Sequence, residues 1–279
     1  MQKNSAPLLN FASVKTSFTL AWPISLQNIL VTLLSMIDIM MVSHLGDSAV
    51  ASVGLANRIQ FVILVIVTGL GWGVGVLSSQ YFGAGKHDKI RQSILMGISV
   101  GILVMIPIVL LNFYYADATL ALGTKDLEVI ALGEMYLWIT IPSLFFIAVI
   151  LVFENALRSA GQVKLPLVLS ACAIICNVIL NYWLINGGLG IDALGVTGAA
   201  IATLLSRLFH MILLLLVLKK AQHFLKPTRA DFPSLKNKHA WKKLIKLVWP
   251  MMFSFGVWSL GTFIYQLIYM KFIIYCIFS

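Results

Sequence analysis

Seven long apolar runs, separated by short polar connections, dominate the chain. Each run has about 20 residues or more, and at a rise of 1.5 Å per residue that length crosses a hydrocarbon core of ~30 Å. The pattern therefore predicts seven transmembrane helices. The runs are Leu20–Val42, Ile59–Ser79, Ile94–Phe113, Val129–Phe153, Leu165–Ile185, Val196–Leu218 and Leu247–Tyr269.

An acidic residue, Asp38, lies inside the first apolar run. A charge near the centre of a membrane helix costs about 2.5–3.5 kcal/mol on insertion scales, so such residues are rare and usually functional. Aspartate is too short to reach the membrane surface from this depth. Asp38 therefore favours an ion-coupled transporter over a passive membrane anchor.

The composition agrees with a polytopic membrane protein. Hydrophobic residues make up 60% of the chain and charged residues 11%, whereas soluble domains have about 25% charged residues. Sixteen of the twenty Lys and Arg residues fall in the segments that are cytoplasmic if the N-terminus is inside. This distribution follows the positive-inside rule and predicts a cytoplasmic N-terminus.

The net charge of +10 comes largely from one basic connection, Lys219–Lys246. We interpret this charge as topogenic, with recognition of anionic lipids as the alternative. Nucleic-acid binding is not expected. The three cysteines show no metal-ligand spacing, so neither a metal nor a cofactor is expected.

The basic connection also divides the chain into unequal parts. Leu20-Ala21-Trp22-Pro23 recurs as Leu247-Val248-Trp249-Pro250, at the start of the first and the last apolar run. The repeat predicts a six-helix lobe in residues 1–218, a basic cytoplasmic loop in 219–240, and the first helix of an incomplete second lobe in 241–279. A chance match of two unrelated helix starts is the alternative.

Glycine and proline modify the second, third and fourth spans. Gly69, Gly71, Gly73 and Gly75 form overlapping GxxxG pairs, which indicate close helix packing, with conformational flexibility as the alternative. Proline lies inside the third span at position 107 and inside the fourth at position 142, and we expect both helices to bend there.

Four polar side chains are predicted to share one layer in the outer half of the membrane. They are Asp38 of span one, Asn177 and Asn181 of span five, and Thr203 of span six. Gln27 lies three helical turns before Asp38 on the same face. Arg207 is the other charged residue predicted within a span, and an ion pair with Asp38 is the structural alternative to a functional role.

A carboxylate in this layer can couple transport to an ion. It can take up a proton, or it can join the amide oxygens of Asn177 and Asn181 as a ligand of Na⁺. A purely structural hydrogen-bond network among the helices is the alternative for the amides and Thr203. No cluster of His, Asp and Glu has catalytic spacing, so an enzyme is not expected.

Several ordered segments resemble the MATE family of multidrug and toxic compound extrusion transporters, which export amphipathic organic cations in exchange for H⁺ or Na⁺. The resemblance covers about residues 15 to 269. The segments are Trp22-Pro23 through Asp38 to Gly46, Gly83-Ala84-Gly85, Ala156 to Gly161 with Lys164 and Pro166, Asn177 with Asn181-Tyr182, and Leu194 to Thr203.

The resemblance implies roles for individual residues. Asp38 matches the carboxylate of span one that serves as the proton or sodium site, Thr203 matches a nearby threonine, and Tyr136 matches a tyrosine of span four. The chain leans to the DinF-like branch because Val257 stands where the NorM-like branch has a glutamate. Asn181 stands where the DinF-like branch has an aspartate.

The resemblance predicts an all-α polytopic membrane protein, with the six-helix N-terminal lobe of a MATE-type 6+6 bundle and the first helix of the second lobe. The chain is expected to look like a product that ends after helix seven of twelve. Its expected function is antiport of organic cations at the plasma membrane, with Gln27, Tyr136 and Arg207 as cavity residues and a dimer completing the cavity. The alternatives are a lipid-linked precursor flippase, or a membrane fragment that does not transport.

Overall fold

The computed structural model describes residues 11–278, except 189, 191, 221 and 222. The described chain is built from α-helices joined by short connections. Their bounds are α1 Phe11–Val42, α2 Asp47–Gly83, α3 His87–Ala121, α4 Leu127–Thr140, α5 Leu144–Ser159, α6 Lys164–Asn186, α7 Gly195–Lys220 and α8 Lys238–Phe278.

The described residues contain seven helical segments that are long and apolar enough to cross a membrane. They coincide with the seven predicted runs, and α4 and α5 together form the fourth segment. Most helices extend beyond the apolar runs because polar first and last turns continue them. The predicted all-α class and the number of spans are confirmed.

The two prolines behave differently. Pro142 lies in a short 3₁₀ helix, Ile141–Ser143, which separates α4 from α5 as expected for a residue without a backbone N–H. α3 continues through Pro107, and its non-helical dihedral angles occur at Tyr115, with φ −130° and ψ 22°. The fourth span is therefore the one that is interrupted at its proline.

Helix α2 lies at the centre of the bundle. It packs against α3, α4, α5 and α8, while α6 packs mainly against α7 and α1 mainly against α6. Buried apolar side chains form two clusters, one that includes Val53 and Leu137 and another that includes Leu70 and Phe153. This arrangement leaves much of α1 exposed.

The glycines of α2 lie on two opposite faces of the helix, and each face contacts a different neighbouring helix. A Cβ atom at Gly69 would lie 2.8 Å from the Cα of Met252, and one at Gly73 would lie 2.7 Å from Val248. A Cβ atom at Gly71 would lie 2.6 Å from the Asn155 side chain of α5. Alternate glycines therefore admit α8 on one face and α5 on the other, which supports the close-packing interpretation.

Large apolar side chains cover the outside of the bundle. Leu103 of α3 is 70% exposed, and Ile175 and Ile179 of α6 are about as exposed, at 60% and 62%. Such surfaces are a liability in water but contact acyl chains in a bilayer. The exposed apolar surface therefore fits a protein whose solvent is lipid.

The basic connection is tied to the start of α3 by a buried aspartate. Asp231 accepts hydrogen bonds from Arg91 at 2.9 Å and from the Thr228 hydroxyl at 2.6 Å. Burial raises the pKa of Asp231, but the hydrogen bonds from Thr228 and Arg91 outweigh this effect, and the net shift is downward. The division of the chain at 219–240 remains a prediction, and residues 221 and 222 lie outside the described residues.

Replacing Gly69 by alanine should loosen α8. Because the new methyl group would meet backbone atoms of Met252, we expect the free energy of unfolding to fall by about 1–3 kcal/mol. The measurement is thermal unfolding of the purified chain in detergent.

The matched control is Gly54→Ala in the same helix, where an added Cβ atom would have nothing within 4 Å. This change should be neutral or stabilise by up to about 1 kcal/mol, because alanine favours helix. Equal stability of the two variants would contradict the packing role of Gly69.

Candidate functional site: two polar networks along one cavity

A cavity of about 290 Å³ lies among five of the spans. Its walls are mainly apolar, but ionisable side chains project into it from several helices. They are Asp38 of α1, Tyr136 of α4, Glu154 of α5, and Arg207 and His210 of α7. The predicted cavity residues Gln27, Tyr136 and Arg207 all line it.

The first polar network is centred on Asp38 and links three helices. The side-chain amide of Asn181 donates to Asp38 Oδ1 at 2.6 Å and to Asn177 Oδ1 at 2.9 Å. Asn177 in turn donates to the hydroxyl of Ser206 at 3.0 Å. The spacing of Asn177 and Asn181 by four residues places both on one face of α6, as the sequence predicts.

One acceptor of this Asp38 network has no donor. The Oδ1 atom of Asn181 is buried and has no hydrogen-bond partner among the described residues. A buried acceptor without a partner costs about 1–3 kcal/mol unless a ligand satisfies it. Together with the carboxylate of Asp38, this oxygen could accept a proton or coordinate Na⁺, because both need acceptor oxygens.

Thr203 and Tyr136 lie on the wall of the same cavity. The Thr203 hydroxyl donates to the carbonyl of Ala199 in its own helix at 2.9 Å. The Tyr136 hydroxyl donates to Asn57 Oδ1 at 3.4 Å. The structure thus brings Thr203 to the cavity beside the Asp38 network, and its hydroxyl donates within α7.

Arg207 does not form the ion pair that the sequence left open. Its Nη1 atom donates to the hydroxyl of Ser143 at 2.6 Å and to Gln60 Oε1 at 3.1 Å. The described residues show no contact of 4.0 Å or less between its guanidinium group and Asp38. The two opposite charges therefore face one cavity while each is held by neutral polar groups.

Gln27 belongs to a second polar network, at the opposite end of the cavity from Asp38. Its amide donates to both carboxylate oxygens of Glu154 at 3.2 Å and to the hydroxyl of Ser170 at 2.6 Å. Its carbonyl oxygen accepts from Arg158 at 2.8 Å, and Arg158 also pairs with Glu154 at 3.2 Å. The network joins α1, α5 and α6.

Sequence reasoning missed Glu154 because the predicted fourth span ended at Phe153. Helix α5 continues to Ser159, and Glu154 is 4% exposed. Ser206 and His210 of α7 were also not named from the sequence, although helical spacing could have indicated them. Thr203, Ser206, Arg207 and His210 follow one another at intervals of three, one and three residues, which places them on one face of α7.

The comparisons with known proteins identify the family. The MatE family model matches residues 23–183, and the chain belongs to this family. A relative from Thermotoga maritima, described as probable multidrug resistance protein NorM, is 26% identical over 90% of this chain and 53% of its own length. A protein of the same description from Bradyrhizobium diazoefficiens is 30% identical over 77% of this chain and 44% of its own length.

Solved structures share the fold. The outward-facing conformation of a multidrug resistance MATE family transporter superposes with a TM-score of 0.79 at 22% identity, over 89% of this chain and 54% of the other. Its inward-facing counterpart gives 0.73 at 24% identity, over 83% and 52%. The chain spans about half the length of the proteins it matches. It is a multi-pass membrane protein of a transporter family, which is not an enzyme class.

Removing the Gln27 side chain should weaken the attachment of α1 to α5 and α6. Gln27→Ala leaves Glu154, Ser170 and Arg158 each without one buried partner, so we expect a loss of about 1–3 kcal/mol in unfolding free energy. The measurement is thermal unfolding in detergent. Leu33→Ala is the control, because Leu33 of the same helix is 46% exposed, and a change as large there would argue against a specific role of Gln27.

Proposed function

We propose that this chain takes part in cation-coupled efflux of amphipathic organic cations across the plasma membrane, with H⁺ or Na⁺ as the coupling ion. The observation that carries the proposal is the Asp38 carboxylate, which lines an intramembrane cavity and lies beside the unpartnered amide oxygen of Asn181. Membership of the MatE family and the names of the relatives support it.

The coupling follows from charge. An organic cation and a coupling ion each bring one positive charge to the same carboxylate, so occupancy by one disfavours occupancy by the other. The membrane potential adds ~2.3 kcal/mol per charge for each 100 mV. Exchange at Asp38 would then let inward movement of the ion drive outward movement of the organic cation.

The walls of the cavity suit an amphipathic cation. Phe61, Leu64, Leu144 and Ile147 provide apolar contacts, and the aromatic ring of Phe61 offers a cation–π contact. The carboxylate of Asp38 supplies the charge complement. A large apolar surface with few directional contacts also explains tolerance of varied substrates.

A further polar face on α1 supports a partner. Ser25, Asn28, Thr32 and Ser35 are exposed at intervals of three, four and three residues, which places them on one side of the helix. The hydroxyls of Thr32 and Ser35 donate to backbone carbonyls of α1, but the exposed amide of Asn28 needs water or another protein as its partner and is therefore unsuited to lipid. We propose that a second copy of the chain covers this face and completes a central cavity.

The positive-inside distribution supports a cytoplasmic N-terminus in the plasma membrane. Lipids are the expected surroundings of the exposed apolar surface, and no nucleic acid is proposed as a partner. The DinF-like assignment remains a prediction from sequence.

A second transport function is favoured by one observation. Arg207 lines the cavity, and its guanidinium group can bind phosphate. A flippase for a lipid-linked precursor would use it, whereas an exporter of cations would not. A fragment that does not transport is the remaining alternative.

Asp38→Asn should abolish export. We expect ethidium efflux from cells that express the chain to fall to the level of cells without it, because the neutral amide cannot exchange a cation. The control is Asp47→Asn, which removes an exposed acidic residue at the start of α2 and should leave efflux unchanged. If the unsubstituted chain inserts in the membrane and shows no efflux, transport by this chain alone is excluded.

The polar face of α1 should bring two copies together. In a background without cysteine, Thr32→Cys should form disulfide-linked dimers in membranes on mild oxidation. Leu111→Cys should not, because Leu111 is an exposed apolar residue of α3 that we assign to the lipid-facing surface. Equal cross-linking of the two variants would indicate random collision rather than a specific dimer.

A further inference from the structure

Glu154 is a buried carboxylate with more polar contacts than an isolated ion pair requires. It is 4% exposed and contacts Arg158, Gln27 and Ser170 at 3.2–3.3 Å. Arg158 balances its charge, while Gln27 and Ser170 are neutral. These contacts stabilise the charged form of Glu154. One further side chain lies close to it.

That group is the imidazole of His210, on the neighbouring helix α7. Its Nε2 atom lies 3.6 Å from Glu154 Oε1, is buried, and has no hydrogen-bond partner among the described residues. A distance of 3.6 Å is too long for a hydrogen bond. One proton placed between the two atoms would satisfy both the orphaned nitrogen and the carboxylate oxygen.

We propose that Glu154 and His210 form a second proton-binding site, which takes up one proton from water and holds it between Oε1 and Nε2. The site lies on the same cavity as Asp38, at the end where Gln27 attaches α1. Its ligand is a proton rather than a metal ion, since the described residues contain no group of three or more His, Cys, Asp and Glu side chains that could hold one.

The charges around the cavity determine how a proton on the Glu154–His210 pair affects a bound cation. Asp38 and Glu154 supply two negative charges, and Arg158 and Arg207 supply two positive ones. Among the described residues, α1 and α6 contact Glu154 only through the neutral side chains of Gln27 and Ser170. α2 and α3 approach α5 at Gly71 and Gly97, which carry no charge.

A proton on the pair therefore leaves the cavity with one excess positive charge, as a bound organic cation would. The two occupants oppose each other through the cavity. This coupling rests on the proposed function, whereas the uptake of the proton does not. The site would give the transporter a second place at which a proton expels its substrate.

The site also acts on α1. Gln27 donates to both oxygens of the Glu154 carboxylate, and these two bonds are stronger while the carboxylate is charged. Sharing a proton with His210 weakens them. Protonation would therefore loosen the attachment of α1 at this end, while Asn181 continues to hold it at Asp38.

The test is nitrogen NMR of the purified full chain, labelled at the histidine rings and placed in lipid nanodiscs. The His210 signal is assigned by its loss in His210→Asn. We expect it to show one protonation transition within about pH 5–8, the range in which histidine normally changes charge. Glu154→Gln should remove this transition from that range, because the amide cannot share the proton.

Glu134→Gln is the matched control, since it removes an equal charge from a partly exposed position on α4, and it should leave the transition in place. An unsubstituted chain whose His210 signal is constant over this range would overturn the proposal, and so would a transition that Glu154→Gln leaves unchanged. The first outcome does not use Glu154→Gln, so misfolding of that variant cannot obscure it. Transport is not measured, so absence of efflux would leave this result standing.

Discussion

The absence of water from hydrocarbon governs the arrangement of polar residues in this protein. An amide, hydroxyl or charged side chain inside the membrane has to bond to another part of the protein. Here the buried polar side chains of α1, α5, α6 and α7 gather along one cavity, in one network around Asp38 and one around Glu154, while Arg207 bonds separately to Ser143 and Gln60. Apart from the exposed polar face of α1, the outside of the bundle carries mainly apolar side chains.

Helix α1 is joined to both of these networks. Much of its surface is exposed, including Trp22, Met36 and Met40, and its buried polar contacts are those of Gln27 and Asp38. A helix held at two polar points can respond to a change of charge at either one. Gln27 and Asp38 also line the cavity, so under the proposed function a cation bound there would affect both attachments of α1.

The centre of the bundle is built in a contrasting way. Alternate glycines of α2 let α8 approach at Gly69 and Gly73 and α5 approach at Gly71. Close backbone contact of this kind fixes the relative positions of helices without polar groups. α5, which carries Glu154 and Arg158, is thereby packed closely against α2, while α1 contacts α5 through hydrogen bonds.

The sequence alone determined the number of spans, because length and apolarity suffice for a helix in lipid. Charge and helical spacing also grouped Asp38 with Asn177 and Asn181 as neighbouring polar side chains. Which helices face each other depends on contacts between distant residues, and spacing within one helix cannot supply them. Only the tertiary structure therefore showed that Gln27 meets Glu154, that Arg207 bonds to Ser143 and Gln60 rather than to Asp38, and that His210 faces a carboxylate 56 residues away in the chain.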